Sequence, residues 1–230
     1  MEEVIVELRC MYWQNGEYLI ESHKKVTEHL GLQVQYDLTT IPHGQWMNDV
    51  LENSTADVVG FLDSDCVPLN KGIVDYAVAY ATATKSFIGT AQASNHIAPR
   101  AHIFAAPCFF FIYRDTWVKM GKPSFLENSR SDVAEEVSYV AEDFMVPYKA
   151  LYPTNFEREP VEGVWRLGNF GYYGIGTVFA NSVYHLFQGR YKQNADLFKL
   201  RCDQIVDGTF STDGMFNSIE VYSGKICNYS

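Results

Sequence analysis

The chain has 230 residues, with 28 acidic against 18 basic side chains and a formal net charge of −10. Its 47% apolar and 20% charged residues are those of an ordinary globular protein, neither disordered nor membranous. Such a charge excludes a general nucleic-acid binder, which needs a basic face, although a local groove for one diphosphate stays open. The length suits one domain, residues 1–230, with a sizeable core. Cys10, Cys66, Cys108, Cys202 and Cys227 are far apart and form no CxxC pair, which predicts reduced thiols. The opening Met-Glu-Glu-Val lacks the features of a signal peptide, and no apolar run reaches the length of a membrane span. A cytoplasmic protein without a membrane segment is expected.

Val4, Val6, Leu8 and Cys10 alternate with more polar residues and predict a first strand, broken at Asn15-Gly16. Residues 17–30 read as a helix stopped by Gly31, and 32–38 as a strand of clean period two. A short helix over 44–53 leads to the apolar run 57–62, a buried strand of the kind covered on both faces. Asn70 is a fair N-cap for a helix burying Ile73, Val74, Ala77, Val78 and Ala81. Strand–helix alternation through residue 85 predicts right-handed parallel crossovers in a layered α/β sheet. Beyond it, strands are expected at 85–91, 108–113, 146–152 and 177–180. Helices are expected after Asp115, over 132–141 and over 189–205, while the tail from 207 has no clear pattern.

The most informative feature is the end of the buried strand, Asp63-Ser64-Asp65. Ligands of open α/β sheets gather beyond the carboxyl ends of strands, and two carboxylates there suit a hard divalent cation with its phosphate oxygens. Cys66-Val67-Pro68 is expected to supply a turn just after the two carboxylates. Position and motif together resemble the GT-A fold nucleotide-sugar glycosyltransferases of the family 2-like, metal-dependent kind. That resemblance implies a three-layer α/β/α Rossmann-like fold with a mostly parallel central sheet. It also implies Mn²⁺ or Mg²⁺ as cofactor and a nucleotide sugar as donor. Residues 1–92 would be the nucleotide-sugar-binding half, and 93–230 the acceptor-side half with a C-terminal metal-ligand segment.

Residue by residue, the resemblance makes Asp63 ribose- and metal-facing and Asp65 the principal metal ligand, with Ser64 between them. The segment Cys10–Leu19, with Tyr12 and Trp13, is similar to the family's base-cupping segment. Asp37 matches its carboxylate for the uracil N3–H, which favours a UDP-sugar such as UDP-glucose. Gly44–Asn48 is similar to the segment before the D-x-D strand, which marks Asn48. The string Val183-Tyr-His185-Leu-Phe-Gln-Gly-Arg190-Tyr-Lys192 resembles the family's closing metal-ligand segment. It implies His185 as a third ligand and Arg190 or Lys192 as a partner of the diphosphate. A neutral imidazole with carboxylates makes a reasonable Mn²⁺ shell.

For the acceptor, Asp132 and Glu135 are the best candidates to take a hydroxyl proton, and Glu142-Asp143 is a second pair. The same Asp132/Glu135 spacing is also a helix capping box. Gly168, Gly171, Gly174 and Gly176 do not form a dinucleotide loop, and Phe170, Tyr172 and Tyr173 would wall an acceptor or simply pack. Two other functions stay open. A nucleotidyltransferase would carry a basic Gly-rich loop after the first strand, and Cys10–Gly16 has none. A non-catalytic carbohydrate-binding protein would hold sugars on its aromatics.

Overall fold

The structure, a computed structural model, describes residues 4–14, 16–94, 102–157, 163–189 and 191–220. Its first half delivers the expected alternation: β1 (Val6–Tyr12), α1 (Glu17–His29), β2 (Val34–Leu38), α2 (His43–Asn53) and β3 (Val58–Asp63). Then come β4 (Cys66–Pro68), α3 (Lys71–Thr84), β5 (Phe87–Ala93), β6 (Ile103–Tyr113), α4 (Arg114–Lys119), α5 (Glu135–Asp143) and β7 (Tyr148–Leu151). The last part holds β8 (Pro153–Phe156), β9 (Trp165–Arg166), β10 (Tyr172–Tyr173), β11 (Gly176–Phe179), β12 (Val183–Leu186), α6 (Lys192–Val206), β13 (Phe216–Asn217) and α7 (Ser218–Glu220).

The central sheet has the order β2-β1-β3-β6-β5-β7. Parallel pairs join β1 to β2 and β3, and β5 to β7, while β6 runs against both of its neighbours. The fold is thus mixed α/β with a mostly parallel central sheet. Alternation along β3 divides its side chains: Val58 and Leu62 join an apolar cluster with Ile20 of α1 and with α3, whereas Val59 and Phe61 join one with α2, α4 and α5. Gly60 sits between them where no side chain fits, since a Cβ there would lie 2.6 Å from the Phe111 ring and 2.7 Å from Leu8.

A second sheet, β13-β8-β11-β12-β4, is antiparallel throughout. Its apolar residues Val178, Tyr184 and Leu186 pack with Leu19 and Val26 of α1 and Phe198, Cys202 and Ile205 of α6. Here the expected turn at Cys66-Val67-Pro68 is corrected: these residues are β4, and the turn is Ser64-Asp65. Pro68 ends the strand, a position where a proline costs no central ladder bond, and the next bond is Leu69 N–H to the Ser182 carbonyl at 2.8 Å.

Other boundaries differ for local reasons. Asn70 caps α3 as expected, its side chain accepting from Ile73 N–H at 3.1 Å. Lys85 closes that helix with φ 49°, which delays β5 to Phe87. Asp115 lies in the first turn of α4 rather than at its cap. The helix expected from 132 starts at Glu135, because Ala134 takes φ 69°. Strand β6 begins earlier than expected and carries a register shift opposite Gly89/Thr90, where Gly89 pairs with Phe110 and Thr90 with Ala106. Pro107 and Cys108 fall in that irregularity, which is where a proline inside a sheet is tolerated.

Gly60→Ala is expected to overpack the two clusters' shared strand and cost roughly 1–3 kcal/mol of stability. A urea unfolding curve that leaves the midpoint unchanged would refute this account of the β1/β3/β6 packing.

Candidate metal centre and cleft

The chain leaves the central sheet at Asp63 and enters the second sheet at Cys66. Cys66 is registered against His185 of β12, and the Leu186 N–H donates to the Asp65 carbonyl at 2.9 Å. This pairing carries His185 to the acidic turn. One ligand atom from each of Asp63, Asp65 and His185 lies within 4.8 Å of the others. His185 Nε2 stands 3.5 Å from Asp65 Oδ1, its ring packed on Phe187 at a centroid distance of 4.0 Å. The Gly189 N–H donates to Asp65 Oδ2 at 3.3 Å, and a Cβ on Gly189 would come within 2.8 Å of that oxygen. Only glycine lets the segment after β12 approach so closely.

Burial pushes the Asp63 carboxyl well above its ordinary value, with the nearby Cys108 and Asp65 adding to it. Burial alone would lower His185, but Cys108 and Asp65 outweigh it and hold the imidazole well above its usual range. A crowded, poorly hydrated acidic pair of this kind is relieved by positive charge. Two carboxylates and an imidazole within reach of one point fit a divalent ion with mixed oxygen and nitrogen ligands.

These groups open into a cavity of about 350 Å³. It is lined by Trp13, Tyr18 and Leu19 on one side, Gln92, Pro107 and Cys108 at the β5/β6 irregularity, and Asp132 and Val133 before α5. Phe187 and Gln188 after β12 complete it, and no lysine or arginine is among the described lining residues. Tyr18 donates its hydroxyl to the Gly189 carbonyl at 2.9 Å, tying α1 to the segment that holds Asp65. His43, unnoticed in the sequence, also lines the cavity, with Nε2 3.3 Å from Asp63 Oδ1. Burial lowers its pKa to about 4 despite the opposing Asp65 charge, so it is neutral at neutral pH. It stands at the first position of α2 and no motif spacing announces it.

The remaining sequence-derived candidates are distributed unevenly. Ser64 and Trp13 line the cavity, Trp13 with 53% of its surface exposed. Tyr12 instead packs part-buried against the cluster under α1 and α3. Asp37 opens on a different cleft, with Oδ2 accepting from Arg9 Nε at 2.9 Å, Arg9 Nη2 at 2.5 Å and the Trp46 indole at 3.0 Å. Asn48 fastens α2 to the chain beyond α4, accepting from Phe125 N–H at 3.0 Å and donating to Ser124 Oγ at 3.2 Å. Lys192, exposed at the start of α6, pairs with Asp196 at 2.7 Å. Arg190 lies outside the described residues.

Asp132 and Glu135 part company as well. Asp132 lines the cavity and its Oδ1 accepts from Val133 N–H at 2.8 Å. Glu135 is fully buried and does not line it; its Oε2 accepts from Asp132 N–H at 2.8 Å, half of the capping box, and its Oε1 meets His102 Nδ1 at 2.7 Å. His102 Nε2 reaches Glu142 at 3.2 Å, and its ring stacks on Tyr139 at 3.9 Å. Glu142 also accepts from the Tyr148 hydroxyl at 2.8 Å. Burial would lower His102, but Glu135 and Glu142 raise it above its ordinary value. Burial would raise Glu135, but His102 and the Asp132 amide hold it below its own.

No protein-family model matches the sequence, and no curated protein matches it. Among solved structures, the chain is similar to the glycosyltransferase GlyE of Streptococcus pneumoniae TIGR4, at 12% identity and a TM-score of 0.41, over 65% of this chain and 45% of that one. The chain thus spans less than half of that protein's length. It is similar to residues 1–349 of S. aureus TarS at 12% identity and a TM-score of 0.41, over 89% of this chain and 70% of that one. It is also similar to a CMP:2-keto-3-deoxy-manno-octonic acid synthetase complexed with CTP, at 7% identity and a TM-score of 0.39, over 64% of this chain and 89% of that one. Likenesses this loose carry no weight for function, which is argued below from the site.

Two outcomes follow from this geometry. Gly189→Ala is expected to displace Asp65 and weaken any divalent-cation binding at the trio by about tenfold or more, as loss of support around a ligand commonly does; titration calorimetry with unchanged affinity would contradict it. The His102–Glu135 pair is expected to stabilise most where both are charged. A carboxyl held low contributes above its ordinary pKa, and an imidazolium held high contributes below its ordinary pKa and loses that as pH rises through the folded value. His102→Ala should therefore lower the melting temperature most near pH 5–6 and distinctly less at pH 9. A deficit that does not vary with pH would show that the effect is packing alone.

Proposed function

We propose that the chain is a metal-dependent glycosyltransferase that moves a hexose from a nucleotide sugar to a hydroxyl acceptor. The observation that carries this reading is the convergence of Asp63, Asp65 and His185 at the mouth of a cavity beyond the carboxyl end of β3. Residues 1–92 would bind the donor and 93–230 would supply the acceptor side, all within one domain. A divalent cation, Mn²⁺ or Mg²⁺, held by Asp63, Asp65 and His185 would supply Lewis-acid stabilisation of charge on the departing nucleoside diphosphate.

The chain's own residues have separable tasks. Gly189 N–H holds Asp65 in place. Trp13 and Tyr18 offer flat faces at the cleft for a base or sugar ring. Asp132, which lines the same cavity, would accept the acceptor's hydroxyl proton. Glu135 would position the turn that presents Asp132 rather than take that proton. The sequence preference for a UDP-sugar such as UDP-glucose rests on Asp37. Asp37 does not support that preference, because Arg9 and Trp46 already occupy its carboxylate.

The test is calorimetry with UDP and GDP, with and without Mn²⁺, followed by release of diphosphate from a panel of nucleotide sugars. Nucleotide binding that needs Mn²⁺ and vanishes in Asp65→Ala is expected. Binding of free sugars that is indifferent to nucleotide and metal would overturn this reading in favour of a carbohydrate-binding protein.

A further inference from the structure

We propose that His43 is a fourth protein ligand of the metal centre, so that the ion sits between two imidazoles and two carboxylates. This rests on the metal-binding part of the function proposed above and goes beyond it in naming the ligand set and the class of ion.

The first observation is an orphan. His43 Nε2 is buried and has no hydrogen-bond partner among the described residues, although it lies within 3.3 Å of Asp63 Oδ1. A buried polar atom left unpaired costs free energy and calls for a reason. The second observation is the arrangement. His43 stands beside Asp63 much as His185 Nε2 stands beside Asp65, at 3.5 Å, so each carboxylate of the turn has its own imidazole. Nitrogen and oxygen atoms bound at ~2.1 Å to one ion lie about 3.0–3.5 Å apart in octahedral or tetrahedral shells, a spacing that both contacts match.

The third observation is how His43 is held. Pro42 precedes it as the N-cap of α2, its φ held at −56° by the ring, so the chain entering His43 is constrained. Its ring packs on Trp46 one turn along, at a centroid distance of 5.9 Å. Trp46 in turn meets Phe61 of β3 edge-on at 5.3 Å, two residues before Asp63. The helix and the strand that carry the two groups are therefore locked together. His43 adjoins the Asp63–Asp65–His185 trio through Asp63, at 3.3 Å from its Oδ1.

Two imidazoles change the chemistry of the site. Mixed nitrogen and carboxylate shells suit Mn²⁺, Fe²⁺, Co²⁺ and Zn²⁺, whereas Mg²⁺ and Ca²⁺ prefer oxygen alone. The His43 reading therefore includes selectivity for a transition ion over Mg²⁺. The competing role, a hydrogen bond from His43 that merely steadies Asp63, is separable by substitution. Glutamine keeps an N–H donor at nearly the same reach but is a poor ligand nitrogen.

The experiment uses the whole chain loaded with Mn²⁺ alone, without nucleotide, and counts nitrogen couplings by electron spin-echo envelope modulation. The native protein is expected to show two imidazole nitrogens, and His43→Gln and His185→Gln one each. Co²⁺ affinity should fall at least tenfold in His43→Gln while Mg²⁺ affinity changes little. Circular dichroism and a second variant, His43→Asn, guard against a folding defect. One nitrogen in the native protein and an unchanged spectrum in His43→Gln would overturn the proposal, even if Mn²⁺-dependent nucleotide binding upheld the transferase. Two nitrogens without any nucleotide binding would uphold the ligand set and overturn the transferase instead. Failure to bind any ion would overturn both.

Discussion

The structure depends on a hand-over. At Asp63-Ser64-Asp65 the chain leaves a mostly parallel sheet and, within three residues, begins an antiparallel pairing with β12. Strand geometry alone keeps two carboxylates spaced two residues apart on one face. The change of sheet turns the chain at Ser64-Asp65, and the same pairing sets His185 opposite Cys66. One backbone event thus produces the acidic turn and delivers the imidazole that balances it.

That arrangement is electrostatically uncomfortable and held by its surroundings. Asp63 and Asp65 share a poorly hydrated corner, and burial drives the Asp63 carboxyl upward. Fixed dipoles and close packing compensate: the Gly189 amide on Asp65, Tyr18 on the Gly189 carbonyl, and the apolar layer of Leu19, Leu186 and Phe198 behind them. Strain placed at a strand end and stabilised by a rigid scaffold is the usual condition of a binding site.

Much of this was legible in the residues. An apolar run closed by two carboxylates identifies β3 and its end, because few patterns other than a covered strand produce it. The Asn70 cap and the apolar stripe of α3 follow from spacing. Where reading failed, the missing information was non-local. Cys66–Pro68 looks like a turn because three residues with a proline carry no strand signal until β12 is there to pair with. Asp37 looks like a ligand-facing carboxylate because nothing in its segment announces Arg9 on the neighbouring strand. The Asp132/Glu135 spacing was equally compatible with a cap and with a pair of site carboxylates, and the fold divides them, one to the cavity and one to His102. His43 carries no pattern at all, and only the packing of α2 against β3 reveals it.

The groups around Asp65 are drawn from chain segments 124 residues apart, joined only when the second sheet closes on the first. Contacts of such long sequence separation are slow to form, because the loop entropy must be spent first. A chain cut before β12 would keep the whole acidic turn and yet lack the His185 imidazole and the Gly189 amide beside it.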